Sequence, residues 1–199
     1  MIRATLLGLL VAAPAWAAGP PDPDWPCIQR RQPHLSLAQV WGGPVPDAAV
    51  TELAASPEVQ KLAQALALRR TPLETAEAEI AAFAADHDAG ALTALFVATF
   101  EHINLARDRV MDGITRYAHK QEGLETRIED LRRQFTALEA AEPKDFDRMD
   151  AVEKDLDWSM RIFQDRQQSL TYVCETPVIL EQRAFALGRA VEALLPKAE

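Results

Sequence analysis

Apolar residues recur at alternating steps of four and three positions through the middle of the chain. This stripe runs from Leu92 to Leu138, with one additional step of four between Val110 and Ile114. Such steps form a heptad repeat, in which one face of an α-helix packs against another helix, and the additional step is a stutter that locally unwinds the supercoil. The pattern therefore predicts one long helix with a continuous apolar face.

A second apolar stripe extends from Phe146 to Cys174, after a turn that contains Pro143. If the chain folds back near Glu142, residues at equal distances from this point face each other. The facing pairs are Leu138 with Phe146, Phe135 with Met149, Ile128 with Leu156, Leu124 with Met160, Gln121 with Phe163, Tyr117 with Gln167, Ile114 with Leu170, and Val110 with Cys174. The same register places Arg127 level with Asp157. Both stripes thus indicate an antiparallel, coiled-coil-like hairpin over residues 89–175.

Four helix start signals precede the hairpin. Asp47, Ser56 before Pro57, and Asp88 are typical N-cap positions, and Thr71-Pro72-Leu73-Glu74 has the pattern of a capping box. We therefore expect short helices that end near residues 55, 69 and 86, packed at the base of the hairpin. The fold class predicted for the chain is all-α.

Pro177 is expected to interrupt the second long helix, because proline disfavours helical backbone at the residue before it. Thr176 would then cap a final helix from Pro177 to about Leu195. The alternative is a continuous helix with a kink at the proline.

Residues 18–46 are predicted to form an extended, proline-rich arm. They hold more than half of the 13 prolines of the chain, and proline fixes φ and removes a backbone donor. Trp25 and Trp41 lie within the arm, and we expect them to pin it to a helical surface.

The first 17 residues have the pattern of a cleavable signal peptide. Arg3 is followed by an apolar run too short to span a bilayer, and Ala15-Trp16-Ala17 fits the rule for cleavage after Ala17. An N-terminal core helix is the alternative. We thus divide the chain into a signal peptide (1–17), the arm (18–46) and one helical domain (47–199), in the periplasm or secreted and without a membrane anchor after cleavage.

Charge argues against nucleic acid as a partner. Removal of the signal peptide leaves 20 basic and 30 acidic side chains, and a strongly acidic protein is repelled by phosphate backbones. The composition is otherwise that of a globular protein, with 48% apolar and 26% charged residues.

Two cysteines, Cys27 and Cys174, remain after cleavage. An even number of cysteines in an exported chain indicates a disulfide, here a structural one that joins the arm to the second long helix. Two free, buried thiols are the alternative.

The sequence contains no specific motif for catalysis, metal binding or cofactor binding. The four histidines form no HExxH or Cys/His ligand pattern, and no CxxCH, GxSxG or glycine-rich phosphate loop occurs. No catalytic residue, metal site or cofactor is predicted, and a non-enzyme is favoured over a helical enzyme without short motifs.

Charged and polar residues are concentrated at the base of the hairpin, beside the predicted disulfide. These residues are Glu101, His102, Arg107, Arg109, Tyr172, Glu175, Gln182 and Arg183. They could form a ligand pocket or an ion-pair network between helices.

The first function we predict is an exported interaction protein, an adaptor or chaperone-like factor, that engages a protein partner or its own copy through the hairpin. The alternative is a carrier of a small ligand, metal or haem at this base.

Overall fold

The computed structural model describes residue 22 and residues 24–196, and every regular element in this part of the chain is a helix. The elements are α1 (Leu37–Val40), α2 (Ala48–Ala54), α3 (Pro57–Ala67), α4 (Leu73–Asp86), α5 (Ala89–Ala140) and α6 (Phe146–Glu192). The all-α prediction is confirmed. The predicted signal peptide (1–17) lies outside the described residues, and the assignment of residues 47–199 to one domain stays a prediction.

Side-chain caps fix where several helices begin. Asp47 accepts a hydrogen bond from the backbone N–H of Val50 at α2, and Asp88 accepts one from Ala91 at α5, both at 2.9 Å. These two cap predictions are confirmed. The capping box before α4 is wrong, because Thr71 Oγ1 instead donates to the carbonyl of Ala65 and so joins the loop to α3.

The hairpin is formed by α5 and α6, which pack together along their lengths. The chain turns between Ala140 and Phe146, and Asp145 caps α6 by accepting a hydrogen bond from the backbone N–H of Arg148. Gln121 Nε2 donates to the carbonyl oxygen of Phe163 at 3.3 Å, which is one of the facing pairs expected from the sequence. The predicted hairpin and its approximate register are confirmed.

Two details of the predicted register are wrong. Phe146 is 68% exposed and is not buried in the seam as expected, because α6 begins at this residue and no described helix lies beyond it to cover the side chain. Arg127 pairs with Asp155 at 3.4 Å and not with Asp157. Asp155 borders α5, whereas a residue two positions later points about 160° away around the helix.

The predicted break at Pro177 is also wrong, since α6 continues through this residue to Glu192. Proline cannot donate to the carbonyl four residues earlier, but Pro177 is buried and the residue before it is held by two hydrogen bonds. Thr176 Oγ1 donates to the carbonyl of Tyr172 and accepts from Arg69 Nη1, each at 3.3 Å. The alternative of a continuous helix is therefore the correct one.

The main core lies where the shorter helices surround the first part of α5. Residues 91–100 are all buried, and the core extends to Ile80, Leu66 and Leu187 from α4, α3 and α6. Among the described helices, α5 alone is long and apolar enough to cross a membrane by length and composition. Because its apolar segment is buried by neighbouring helices, this segment is the central helix of a protein core.

The arm packs on this core through Trp41. Its ring is buried and stacks on Phe96, with 4.6 Å between centroids, and its Nε1 donates to the carbonyl of Pro44. The backbone of the arm also approaches α6 closely at Gly188, where an added Cβ would lie 2.6 Å from the carbonyl oxygen of Val40. A residue without a side chain is therefore required at this contact.

We expect Gly188→Ala to lower the free energy of unfolding by about 1–3 kcal/mol, because the added methyl group forces the arm away from α6. Gly123 provides a matched control within the same hairpin, since an added Cβ there meets no atom within 4 Å. Gly123→Ala should raise stability by about 1 kcal/mol through helix propensity alone. Denaturant unfolding of both variants measures the difference, and equal shifts would contradict the close contact.

Candidate functional site

The far part of the hairpin, residues 120–165, is here called the distal hairpin. Every hydrogen bond and ion pair recorded for these residues, within the described chain, joins two residues of α5, α6 or the turn between them. From residue 120 to the end of α5, the helix is about 30 Å long at 1.5 Å per residue. The distal hairpin is therefore held together by its own two helices.

Two large aromatic side chains are exposed on the distal hairpin. Trp158 is 63% exposed, and Phe146 at the tip is 68% exposed. Trp158 follows Leu156 by two residues, so it lies on the opposite side of α6 from the seam with α5. The sequence analysis missed Trp158, although a tryptophan on the polar face of a helix was a signal that could have identified it.

A groove runs along the distal hairpin where α5 and α6 meet. Its volume is about 290 Å³, and it is lined by Glu125, Ile128, Arg132, Met160, Phe163, Gln164 and Gln167. Apolar side chains form its floor and charged or amide groups its rim. Flexible methionine and an aromatic ring are groups that adapt to apolar side chains of a partner.

The distal hairpin is acidic. Residues 120–165 contain 13 acidic and eight basic side chains, and six of the acidic ones fall between Asp145 and Asp157. Complementary charge accelerates association and selects against partners of like charge. The charge of this segment therefore attracts basic surfaces and repels acidic ones.

The polar residues predicted at the base of the hairpin do not share one set of contacts. His102 Nε2 lies 2.9 Å from Gln60 Oε1 of α3, Arg183 contacts the end of α3 and the loop after it, and Arg107 contacts α6 and the arm. The remaining five residues of the set are exposed: Glu101, Arg109, Tyr172, Glu175 and Gln182. A carrier site at these residues stays a prediction.

Arg107 is a buried brace between three parts of the chain. Its side chain is 1% exposed, its Nε and Nη2 lie 2.8 and 2.7 Å from Glu181 Oε1, and its Nη2 also donates to the carbonyl oxygen of Gln32 in the arm. The arrangement ties α5, α6 and the arm together. The contact between Arg107 and Glu181 is an ion pair between helices, which is one of the two interpretations given for the polar residues at the base of the hairpin.

Arg183 is a second brace, on another side of α6. Its Nε donates to the carbonyl oxygen of Leu66 at 2.8 Å, and its Nη1 donates to that of Thr71 at 2.9 Å. Burial lowers the pKa of the Arg183 guanidinium below its ordinary value. The guanidinium thus supplies donors to carbonyls at the end of α3 and in the following loop.

Cys27 and Cys174 form a disulfide, as predicted, which ties the arm to α6. Beside it, Trp25 is buried against Met111 and Ile114, and its Nε1 donates to the carbonyl of Gln29 at 2.6 Å. A disulfide of this kind is typical of an oxidising compartment outside the cytoplasm.

Further polar contacts hold the beginning of the arm. His119 Nε2 lies 2.7 Å from Asp24 Oδ1, and Thr115 Oγ1 donates to the carbonyl of Asp24 at 3.1 Å. A hydrogen bond from Arg31 lowers the pKa of the exposed Asp22 carboxyl. Nearby in the hairpin, burial raises the pKa of Tyr117, whose hydroxyl donates to the carbonyl of Arg166. The contacts of His119 and Thr115 with Asp24 thus join the hairpin to the arm, whereas the other two lie within the arm and within the hairpin.

Among the residues that the structure describes, no three side chains of histidine, cysteine, aspartate or glutamate form a group suited to a metal ion. Comparison of the chain with protein-family models, characterised proteins and solved structures finds no significant match. The candidate site therefore depends on the geometry and chemistry of the distal hairpin itself.

Proposed function

We propose that this protein is an exported interaction protein, an adaptor or chaperone-like factor, that engages a protein partner or a second copy of itself through the distal hairpin. The observation that carries the proposal is the exposure of Trp158 on the distal hairpin, to which the described elements other than α5, α6 and their turn make no polar contact. Tryptophan is enriched among the residues that dominate binding energy at protein interfaces. The apolar groove and the acidic charge of the same segment support the proposal.

A protein partner other than a second copy has two surface properties in this proposal. Its surface is basic, to complement the acidic side chains between Asp145 and Asp157, and it offers an apolar recess for Trp158. A helix of the partner can also insert apolar side chains into the groove between Ile128 and Met160, as amphipathic helices do in hydrophobic grooves.

We expect Trp158→Ala to weaken partner binding by about tenfold or more, because it removes an anchor worth at least 1.4 kcal/mol. Stability should change little, since the side chain is mostly exposed. The measurement is the amount of partner recovered by the tagged mature protein from its native extract, with sedimentation to detect a second copy.

Phe185→Ala is the matched control, since this exposed aromatic lies on α6 but in the body of the protein. It should retain the partner. A photoactivatable residue at position 158 should also cross-link the partner, whereas one at position 185 should not. Retention of the partner by Trp158→Ala, with background cross-linking at both positions, would refute the proposal.

We further propose that the chain reaches the periplasm, or is secreted, through a signal peptide of residues 1–17. The residue pattern and the disulfide support this. Protein recovered from the oxidising compartment should begin at Ala18 by N-terminal sequencing. An intact Met1 on that protein would refute the cleavage.

A further inference from the structure

The two cysteines of the disulfide differ in exposure. Cys27, in the arm, is partly exposed, whereas Cys174, in α6, is only 4% exposed. A cleft of about 150 Å³ opens beside the bond. Its lining consists of both cysteines together with Pro26, Ile28, Gln29, Gln167, Leu170, Thr171 and Glu175. Of the two cysteines that a reagent meets in this cleft, Cys27 is therefore the more exposed residue.

An exposed apolar side chain lies next to Cys27 in the chain. Ile28 follows Cys27 directly in the chain and is 99% exposed, the most exposed large apolar side chain recorded in the described part of the protein. The core does not use this side chain, so its position is not explained by packing. It gives any protein that approaches Cys27 an apolar contact at the point of attack.

We propose that Cys27 is a site of thiol–disulfide exchange with a dithiol oxidoreductase whose apolar surface contacts Ile28. A thiolate of the oxidoreductase attacks Sγ of Cys27, the bond between Cys27 and Cys174 breaks, and its electron pair leaves on Cys174 Sγ, which takes a proton from water. The second cysteine of the oxidoreductase, after losing its proton, attacks the sulfur of the first cysteine in the mixed disulfide and releases Cys27 as a thiolate, which also takes a proton from water. This protein gains two thiols while the oxidoreductase becomes a disulfide.

Exchange alters the arm only locally. Beyond Cys27, the arm remains tied through Gln32, which accepts from buried Arg107, and through Trp41 in the core. Before it, the contacts of Trp25 and Asp24 are noncovalent. Exchange thus allows residues near Trp25 to separate from the hairpin without unfolding the body, and the reverse reaction restores the bond. This site is independent of the distal hairpin and of its proposed partner.

A trapping experiment on the folded, oxidised mature protein tests the proposal. The probe is a thioredoxin-type oxidoreductase with its second active-site cysteine replaced by serine, which stops the reaction at the mixed disulfide. After alkylation in native buffer, peptide mapping should find the oxidoreductase attached to Cys27 and the alkyl group on Cys174. Attachment to Cys174, or an adduct that forms only in denaturant, would overturn the proposal.

Substitution of Ile28 distinguishes contact between the oxidoreductase and Ile28 from simple access of a thiol to the disulfide. We expect Ile28→Asp to slow adduct formation by about tenfold, the effect of losing roughly 1.4 kcal/mol of apolar contact. Reduction by dithiothreitol, which is too small to use this contact, should keep its rate. Ile179→Asp is the control at an exposed isoleucine outside the cleft, and it should leave both rates unchanged. Equal slowing by both variants, or none by Ile28→Asp, would overturn the role of Ile28.

Discussion

Replacing Cys27 and Cys174 together by alanine is expected to lower the free energy of unfolding by up to about 5 kcal/mol. The disulfide joins residues separated by 147 positions, and closing so long a loop restricts the unfolded chain strongly. The native fold should persist in buffer, because the main core around Phe96 does not include either cysteine. Urea unfolding followed by far-ultraviolet circular dichroism measures the loss.

The dependence of unfolding on urea distinguishes the cause of this loss. If the cross-link acts through the unfolded chain, the m value should rise in the alanine variant, because an unlinked chain exposes more surface on unfolding. Wild-type protein unfolded in the presence of a reductant should give the same midpoint as the variant. A loss below about 1 kcal/mol would contradict the loop-closure explanation.

Glu181→Ala is expected to lower the free energy of unfolding by about 3 kcal/mol, because it leaves the buried charge of Arg107 without its carboxylate partner. The value is at the low end for a buried pair, since Glu181 is 30% exposed and water reaches its side of the contact. Denaturant unfolding provides the measurement.

Two comparisons test whether the Glu181 effect comes from the pair. Glu175→Ala removes an exposed carboxylate from the same helix and should change stability by less than about 0.5 kcal/mol. Arg107→Met combined with Glu181→Leu should recover most of the loss, because apolar residues of similar volume often replace a buried pair without cost. Equal losses for Glu181→Ala and Glu175→Ala would show that the pair contributes nothing specific.

The hairpin could be predicted because its evidence is repeated along the chain. Two apolar stripes, a proline in the turn and a capping Asp145 all specify the same helix pair. The disulfide was predictable for a different reason, since the chain has two cysteines and the pattern of an exported protein. A prediction that rests on many residues of one pattern stays correct even when a single position is misinterpreted.

Features that depend on direction around a helix could not be predicted in this way. The polar residues at the base were placed at one level of the hairpin, but Arg107 points toward the arm and Arg183 toward α3. The position of a residue along the helix axis does not determine the direction in which its side chain points around the helix. Pro177 is similar, because its effect on α6 depends on contacts such as that of Arg69 with Thr176, which the local sequence does not contain.

The candidate site was only partly predictable. The notion of an exposed hairpin followed from its length, whereas the exposure of Trp158 and Phe146 required the packing of α6 on α5 to be known. An apolar residue in a heptad can face a partner helix or solvent, and the residue alone does not decide between them. Phe146 was assigned to the seam for this reason.

Along the chain, α5 leaves the body of the protein and α6 returns to it beside α5. The length of the distal hairpin can therefore change without a change in the body. Removing one heptad from each helix of the distal segment, in matched positions, would draw the tip inward by about 10 Å and keep the same faces in contact. The body, the arm and the cysteines would be unaffected. In this respect the distal parts of α5 and α6 are a spacer whose length can be changed without redesigning the body of the protein.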